Sequence, residues 1–204
     1  MKEAYGPLAE WFEYLNDDCD YASWSQSFID VLSSLGAGLC GLELGCGSGA
    51  FCRALTRAGY HMEGADLSAA MLTKADRLAR EEGLRIPFFL ADASALKAPK
   101  QYDFILSPND CFNYIPQKKL PAAFARVAKA LKKGGIFWFD VSSSYKLHHK
   151  VADNISADDR EDVTYLSFNS RAKDRVEMDV TLFVKRKDGA FDRFDEHHTQ
   201  YIHE

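Results

Sequence analysis

The chain has 204 residues, 47% of them hydrophobic, which is enough for one domain with a substantial core. Its formal net charge is -5, with 25 Lys and Arg against 30 Asp and Glu, which disfavours nucleic acid or an anionic membrane as partner. The five cysteines show no zinc-type spacing, no apolar run could span a bilayer, and the N-terminus lacks the features of a signal peptide. We therefore predict a cytoplasmic protein that holds no metal and acts on a small molecule.

Short apolar runs alternate with segments of helical periodicity from Leu39 onward. The predicted strands are residues 41–44, 61–65, 87–91, 102–106 and 136–141. Predicted helices lie between them, one starting at the N-cap Ser68 and the last ending at Gly134 and Gly135. This alternation predicts an α/β fold with a Rossmann-like, mostly parallel sheet and helices on both faces.

The pattern changes after Val141. Residues 142–162 are polar and interrupted, and longer strands of mixed polarity are predicted at 163–168, 176–186 and 191–202. The turn-forming residues 187–190 predict a hairpin between the last two strands. We expect a C-terminal antiparallel β lobe.

A glycine-rich turn, residues 43–49 (ELGCGSG), joins the first predicted strand to the first helix of this alternation. Glycines there let the backbone turn tightly and approach a ligand closely. Asp66 lies 21 residues beyond Gly45, at the end of the next strand, where a carboxylate can accept hydrogen bonds from both ribose hydroxyls. Asp92 ends the third strand and is placed to bind an adenine amino group. The turn therefore predicts a nucleotide site.

Two cofactor types compete for this site. Gly45, Gly47 and Ala50 fit the G-x-G-x-x-G/A pattern of an NAD(P)-dependent oxidoreductase. The carboxylate of Glu43 would repel a pyrophosphate, whereas it suits the ammonium group of S-adenosylmethionine. S-adenosylmethionine is therefore favoured. The alternatives are the oxidoreductase and a non-catalytic module that binds S-adenosylmethionine or S-adenosylhomocysteine.

The same segments, with Gly64–Ser68, Ala91–Ala93 and Gly134–Gly135, resemble those of a class I S-adenosylmethionine-dependent methyltransferase. The resemblance implies that the glycines lie under the methionine part of the cofactor, Asp66 under the ribose, and Ser107 beside the sulfonium. Leu67 and Met71 would lie near the adenine, with Asp92 and Ala93 at its edge. The full predicted cofactor set is Tyr21, Trp24, Glu43, Gly45, Cys46, Gly47, Gly49, Asp66, Leu67, Met71, Asp92, Ala93 and Ser107.

The flanking segments are similar to those of uncharacterised small bacterial methyltransferases and of amino-sugar N,N-dimethyltransferases. The likeness is carried by residues 20–24 (DYASW) and 194–197 (FDEH). It implies an N-terminal helical lid over residues 1–38, with Tyr21 and Trp24 over the cofactor. Residues 11–13 (WFE) depart from the aromatic-Asp pair of such relatives. The cofactor-binding core then covers 39–145, and the β lobe over the substrate covers 146–204.

The substrate is expected to meet the methyl group after the fourth strand. Residues 107–110 (SPND) match an NPPY-type motif only in part, lacking the second proline and the aromatic residue. We predict substrate contacts from Asn109, Asp110, Asn113 and Tyr114. An amine is favoured over a hydroxyl by the resemblance. No catalytic residue is assigned, because aligning the acceptor with the methyl group can suffice.

Class I sheets usually finish with a helix and an antiparallel hairpin, in strand order 3-2-1-4-5-7-6. The residues after Val141 show no such pattern, and the chain stops at Glu204 directly after a strand. We predict that these elements are missing, because the chain is a truncated piece or departs from the family. The fifth strand would then have an exposed edge that a second copy can cover in a homodimer.

Overall fold

The computed structural model describes residues 5–203, and its central element is a five-stranded parallel sheet. The strand order is β3-β2-β1-β4-β5, and every pairing is parallel. The strands are β1 (Cys40–Leu44), β2 (His61–Asp66), β3 (Phe88–Leu90), β4 (Tyr102–Ser107) and β5 (Leu131–Phe139). The predicted Rossmann-like sheet is confirmed, with boundaries shifted by up to five residues.

Helices pack on both faces of this sheet, as the alternating pattern predicted. The helices packed on it are α2 (Tyr21–Ser34), α3 (Ala50–Arg57) and α4 (Ala69–Glu81) on one face and α5 (Leu120–Ala130) on the other. The chain also has α1 (Leu8–Leu15) and the short α6 (Ser144–Lys146), which contribute no residue to the two buried clusters between these helices and the sheet. Alternation along β4 sends Phe104 and Leu106 into the buried cluster under α2 and α3, and Ile105 into the cluster under α5. Among residues 5–203, no helix has the length and apolar character needed to cross a membrane.

The tail forms a separate antiparallel sheet in the order β6-β7-β8-β9. Its strands are β6 (Ile155–Asp159), β7 (Val163–Arg171), β8 (Arg175–Lys185) and β9 (Phe191–Tyr201). The predicted antiparallel lobe and its hairpin are confirmed, with Gly189 at φ +84° in the turn. The pattern missed β6, since it is an edge strand whose residues are mostly exposed and do not alternate.

The end of α5 was predicted wrongly. The helix ends at Ala130, not at Gly134 and Gly135, and β5 begins at once with Leu131. Tyr102 pairs with Leu131, and Phe104 pairs with Ile136, so β5 bulges over the intervening residues. Gly134 supplies the left-handed φ of +80° within this bulge. The glycines therefore mark a bulge rather than a helix end.

The outer edge of β5 is open within the part of the chain described. β5 pairs with β4 alone there, and the tail strands do not complete the parallel sheet. This agrees with the predicted departure from the usual strand order. That a second copy covers the edge stays a prediction.

The N-terminal segment is fixed between the two sheets. The carboxylate of Glu196 on β9 accepts hydrogen bonds from the backbone N–H groups of Tyr5 and Leu8, both at 2.8 Å. The hydroxyl of Ser68, at the start of α4, donates to the carbonyl of Tyr5 at 3.0 Å. Arg53 on α3 forms an ion pair with Glu13 on α1. One short segment thus contacts both halves of the molecule.

We expect Glu196→Ala to lower the free energy of unfolding by about 2–4 kcal/mol, because two N–H groups lose a buried charged acceptor. Amide hydrogen exchange over residues 5–15 should become faster, while exchange in the parallel sheet changes little. Urea denaturation and exchange by mass spectrometry check both effects. Glu161→Ala, at an exposed position, is the control. Unchanged exchange over residues 5–15 would show that Glu196 does not hold the segment.

Candidate active site

The loop after β1 turns sharply on glycine. Gly45 and Gly47 both have left-handed φ values, +69° and +51°. A Cβ atom at Gly45 would lie 2.2 Å from the sulfur of Cys111, so no larger residue fits there without movement. The N–H groups of Gly45 and Cys46 both donate to the carbonyl of Ala65, at 2.8 and 3.1 Å. The loop is therefore held against the end of β2.

The carboxylate of Asp66 joins this loop to the next one. One oxygen accepts from the N–H of Gly47 and the other from the N–H of Ser68, each at 2.8 Å. Burial raises the pKa of Asp66 above its usual range. Each carboxylate oxygen can accept a further hydrogen bond, so hydroxyl donors in the adjoining cavity still find an acceptor.

Glu43, one residue before the end of β1, is a buried carboxyl group. It is 1% exposed, and its Oε2 accepts from the N–H of Cys52 at 2.9 Å. Burial raises the pKa of Glu43 to about 8, and this N–H offsets only part of the rise. A cationic ligand would stabilise its ionised form. The carboxyl group thus suits an ammonium group.

The third predicted acid, Asp92, begins a short turn after β3. Its Oδ1 accepts from both the N–H and the hydroxyl of Ser94, at 2.8 and 2.7 Å. Its Oδ2 lies 3.9 Å from the ammonium of Lys119. This lysine was not predicted, because it is distant from Asp92 in the sequence and lies just before α5.

These groups surround a first cavity of about 560 Å³, a size typical of small-molecule sites. Ten residues of the predicted cofactor set line it: Tyr21, Glu43, Gly45, Cys46, Gly47, Asp66, Leu67, Met71, Asp92 and Ala93. Others that line it were not predicted, among them Tyr5, Phe12, Ser68, Pro108, Cys111 and Lys119. Tyr5 comes from the N-terminal segment and carries no local motif that would have marked it. Phe12 lies in residues 11–13, which were not assigned to the cofactor because they depart from the aromatic-Asp pair of the relatives.

Three predicted cofactor residues do not line the first cavity. Trp24 stacks on the ring of Phe51, with centroids 6.1 Å apart. Gly49 begins α3 with φ +77°. Ser107 is fully buried and donates to the carbonyl of Leu44 at 2.9 Å, so its hydroxyl is engaged within the sheet. These three residues therefore lie behind the lining of the first cavity, where they pack or hydrogen-bond within the protein.

A second cavity, also of about 560 Å³, adjoins the first. The two share the side chains at their boundary: Tyr5, Phe12, Tyr21, Asn109 and Tyr114. The second cavity extends from there to the tail sheet, where Met178, Val180 and His198 line it. The hydroxyls of Tyr5 and Tyr114 are hydrogen-bonded to each other at 2.8 Å. A substrate here would meet a cofactor in the first cavity.

The predicted substrate residues divide between these cavities. Asn109 and Tyr114 line both, and Asp110 lines the second only. Asn109 and Asp110 both have left-handed backbones, with φ of +58° and +46°. Two successive non-glycine residues in this region store strain, which is common at functional sites.

Asn113 lines neither of these cavities. Its amide accepts from the N–H of Ser142 at 2.7 Å and donates to the carbonyl of Tyr201 at 2.9 Å. The side chain is fully buried. It connects the segment after β4 to the tail and is not placed to contact a substrate.

Comparisons with known proteins agree with this geometry. Residues 42–135 match the family model described as a methyltransferase domain. A Geobacillus sp. (strain WCH70) protein named "Putative methyltransferase" is 31% identical over 207 residues, covering 98% of this chain and 83% of the relative. A ubiquinone biosynthesis O-methyltransferase of Paraburkholderia phytofirmans is 33% identical over 110 residues, covering 53% of this chain and 45% of the relative.

Solved structures extend the likeness to the whole chain. An S-adenosylmethionine-dependent methyltransferase from Clostridium acetobutylicum ATCC 824 has a TM-score of 0.87 and 30% identity, covering 99% of this chain and 83% of that one. A sugar N-methyltransferase from Streptoalloteichus sp. ATCC 53650 has a TM-score of 0.82 and 20% identity, covering 100% and 80%. The chain belongs to the class I S-adenosylmethionine-dependent methyltransferases. Its cofactor is S-adenosylmethionine.

We expect Asp66→Ala to weaken S-adenosylmethionine binding by on the order of 1.5–3 kcal/mol, through loss of a charged acceptor for two hydroxyls. Titration calorimetry measures this loss. Asp66→Asn is the matched variant, since its amide oxygen can still accept one of the two backbone N–H groups. Thermal unfolding of both variants separates lost ligand contacts from a loosened loop. Unchanged affinity in a folded Asp66→Ala variant would contradict the ribose assignment.

Glu43 should make stability fall with increasing pH. Its folded pKa of about 8 lies above the ordinary 4.5, so the unfolding free energy decreases between these values and levels off above them. The full decrease is on the order of 4–5 kcal/mol. Glu43→Gln keeps an acceptor for the N–H of Cys52 and should remove this decrease. Urea denaturation at pH 5 and pH 9, with Glu161→Gln as control, checks this. Parallel pH dependences in Glu43→Gln and wild type would refute it.

Proposed function

We propose that the protein transfers a methyl group from S-adenosylmethionine to the nitrogen of a small-molecule amine. The observation that carries this proposal is the charge of the second cavity. Four aspartates line it, against one lysine, Lys146: Asp18, Asp110, Asp140 and Asp158. Asp158 is paired with Arg160 at 2.8 Å and Lys146 lies 3.9 Å from Asp110, so the remaining carboxylates still outnumber the cations. Such a surface favours a cationic acceptor and disfavours a phosphate or carboxylate.

The residues at the boundary would orient the acceptor. Tyr5 and Tyr114 contribute hydroxyls there. Asn109 contributes a side-chain amide, and its backbone is in the strained left-handed conformation. Bound S-adenosylmethionine supplies an electrophilic methyl group. An amine that binds as its ammonium ion would first lose one proton, which frees the nitrogen lone pair; the N–C bond then forms as the S–C bond breaks, and S-adenosylhomocysteine is left. Asp110 lines the second cavity and is the group best suited to receive that proton, since burial raises its pKa. The hydrogen bond that its Oδ2 accepts from the Ser142 hydroxyl, at 2.7 Å, offsets part of that rise.

The relatives bear unequally on the acceptor atom. The likeness to the sugar N-methyltransferase extends over the tail sheet that borders the second cavity, so this fold accommodates an amino acceptor. The alignment with the O-methyltransferase covers only 53% of this chain. Because only the likeness to the N-methyltransferase includes the residues that border the second cavity, nitrogen is favoured over oxygen as the acceptor atom.

The proposal also assigns a function to each of three segments of the chain. Residues 39–145 would bind the cofactor, 1–38 would cover it, and 146–204 would border the acceptor. Residues 1–4 and 204 lie outside the described structure. The contacts of Tyr5 and Leu8 with Glu196 support a cover that rests on the tail sheet.

The test is a panel of matched amines and alcohols, read as release of S-adenosylhomocysteine and by the mass of the product. We expect amines to be methylated and their isosteric alcohols to react at least about tenfold more slowly, as expected when one polar group decides recognition. A preference for alcohols would refute the N-methylation. Tight, salt-dependent binding of RNA or DNA would refute the small-molecule acceptor.

A further inference from the structure

Asp140 follows β5 directly and holds a buried oxygen without a donor. Its Oδ2 accepts from the N–H of Asp110 at 3.1 Å. Its Oδ1 is buried and has no hydrogen-bond partner among residues 5–203. An unpaired buried acceptor is costly, so its presence points to a donor supplied by a ligand.

Asp140 lies where two cavities meet. It lines the acidic second cavity and also a smaller side cavity of about 230 Å³. The walls of the side cavity are mainly aromatic, with Trp24, Phe28, Trp138 and Phe139 among its residues. Trp24 borders both cavities, as Asp140 does. A carboxylate therefore stands at the entrance of an apolar recess.

The size of the recess limits what can occupy it. An apolar cavity of about 150 Å³ is enough for a benzene ring, so this volume accommodates one ring with its linker. Two indoles border it, and indole faces also attract cations. The combination suits a molecule with a single apolar ring a short distance from an ammonium group.

We propose that the acceptor is an organic amine with one ring-sized apolar group, whose ammonium donates to Asp140 Oδ1 while the ring occupies the side cavity. This rests on the proposed N-methylation and specifies its substrate class. Asp140 acts here as the residue that recognises the acceptor. Trp24 does not line the first cavity; in this proposal its side chain contacts the ring of the acceptor.

The decisive variant is Asp140→Asn. Its carbonyl oxygen can still accept from the N–H of Asp110, while its NH₂ group replaces the acceptor at Oδ1. With phenethylamine, benzylamine and cyclohexylamine as probes, we expect KM to rise about tenfold or more. Affinity for S-adenosylmethionine, measured by calorimetry, should stay within about twofold, because Asp140 does not line the first cavity.

Asp18→Asn is the matched control. Asp18 also lines the second cavity, so this variant removes the same charge from the lining of the same cavity. If the cavity recognises amines only through its overall charge, both variants should raise KM equally. A specific contact at Asp140 predicts a rise at least about threefold larger in Asp140→Asn than in Asp18→Asn, whose loss of charge acts only at a distance; equal rises overturn the inference.

Ser27→Phe tests the side cavity. Ser27 lines the recess from α2, and its hydroxyl donates only to the carbonyl of Ser23 in the preceding turn. A phenyl group there should fill the recess and lower kcat/KM for the ring amines about tenfold or more, while ethylamine keeps its rate. Ser34→Phe, at an exposed position on the same helix, is the control and should leave both unchanged.

The outcomes separate this inference from the proposed function. The inference is overturned, and the N-methylation still stands, if the wild-type enzyme methylates amines while KM is unchanged in Asp140→Asn and the ring preference is unchanged in Ser27→Phe. Methylation of phenethyl alcohol but of no amine would overturn both. Calorimetry with S-adenosylhomocysteine bound supplies a readout besides turnover. If no ring amine binds to the wild-type complex with S-adenosylhomocysteine in this calorimetry, the inference is also overturned.

Discussion

The carboxylate of Asp66 holds together the two loops on which the first cavity is built. Parallel strands end at the same edge of a sheet, so the loops after β1 and β2 emerge side by side. Asp66 binds one N–H from each, at Gly47 and Ser68. Ser68 in turn caps α4 through the N–H of Met71 and donates to the carbonyl of Tyr5. Hydrogen bonds through Asp66 and Ser68 thus connect the glycine loop to the N-terminal segment.

A second buried carboxylate determines where the two cavities separate. Glu196 is 3% exposed and draws the N–H groups of Tyr5 and Leu8 onto the tail sheet. This contact places the Tyr5 ring against His198, with centroids 4.6 Å apart, and its hydroxyl against that of Tyr114. The boundary between the two cavities therefore depends on contacts between the N-terminal segment and the tail sheet. Neither sheet alone would form it.

The parallel core could be predicted because its signals are local. Apolar runs, Ser68 as N-cap and acids at strand ends each act within a few residues, and ten predicted cofactor residues do line the first cavity. The parts that were missed depend on distant contacts: Tyr5 reaches its partner Glu196 191 positions away. Ser107 and Asn113 were assigned to ligands, whereas buried carbonyl groups engage their side chains. No pattern in the sequence distinguishes these two uses of a polar residue.

Charge explains why the site holds buried acids on both sides of the boundary. In the proposed reaction a sulfonium must approach an amine that begins as a cation, and two positive charges repel strongly in a poorly solvated cavity. Glu43 lies on the cofactor side, with Asp110 and Asp140 on the acceptor side. Glu43 and Asp110 are costly to ionise when no cation is present, because burial raises the pKa of both. Binding of the two cations would offset that cost, so the protein would be most stable with both cavities filled.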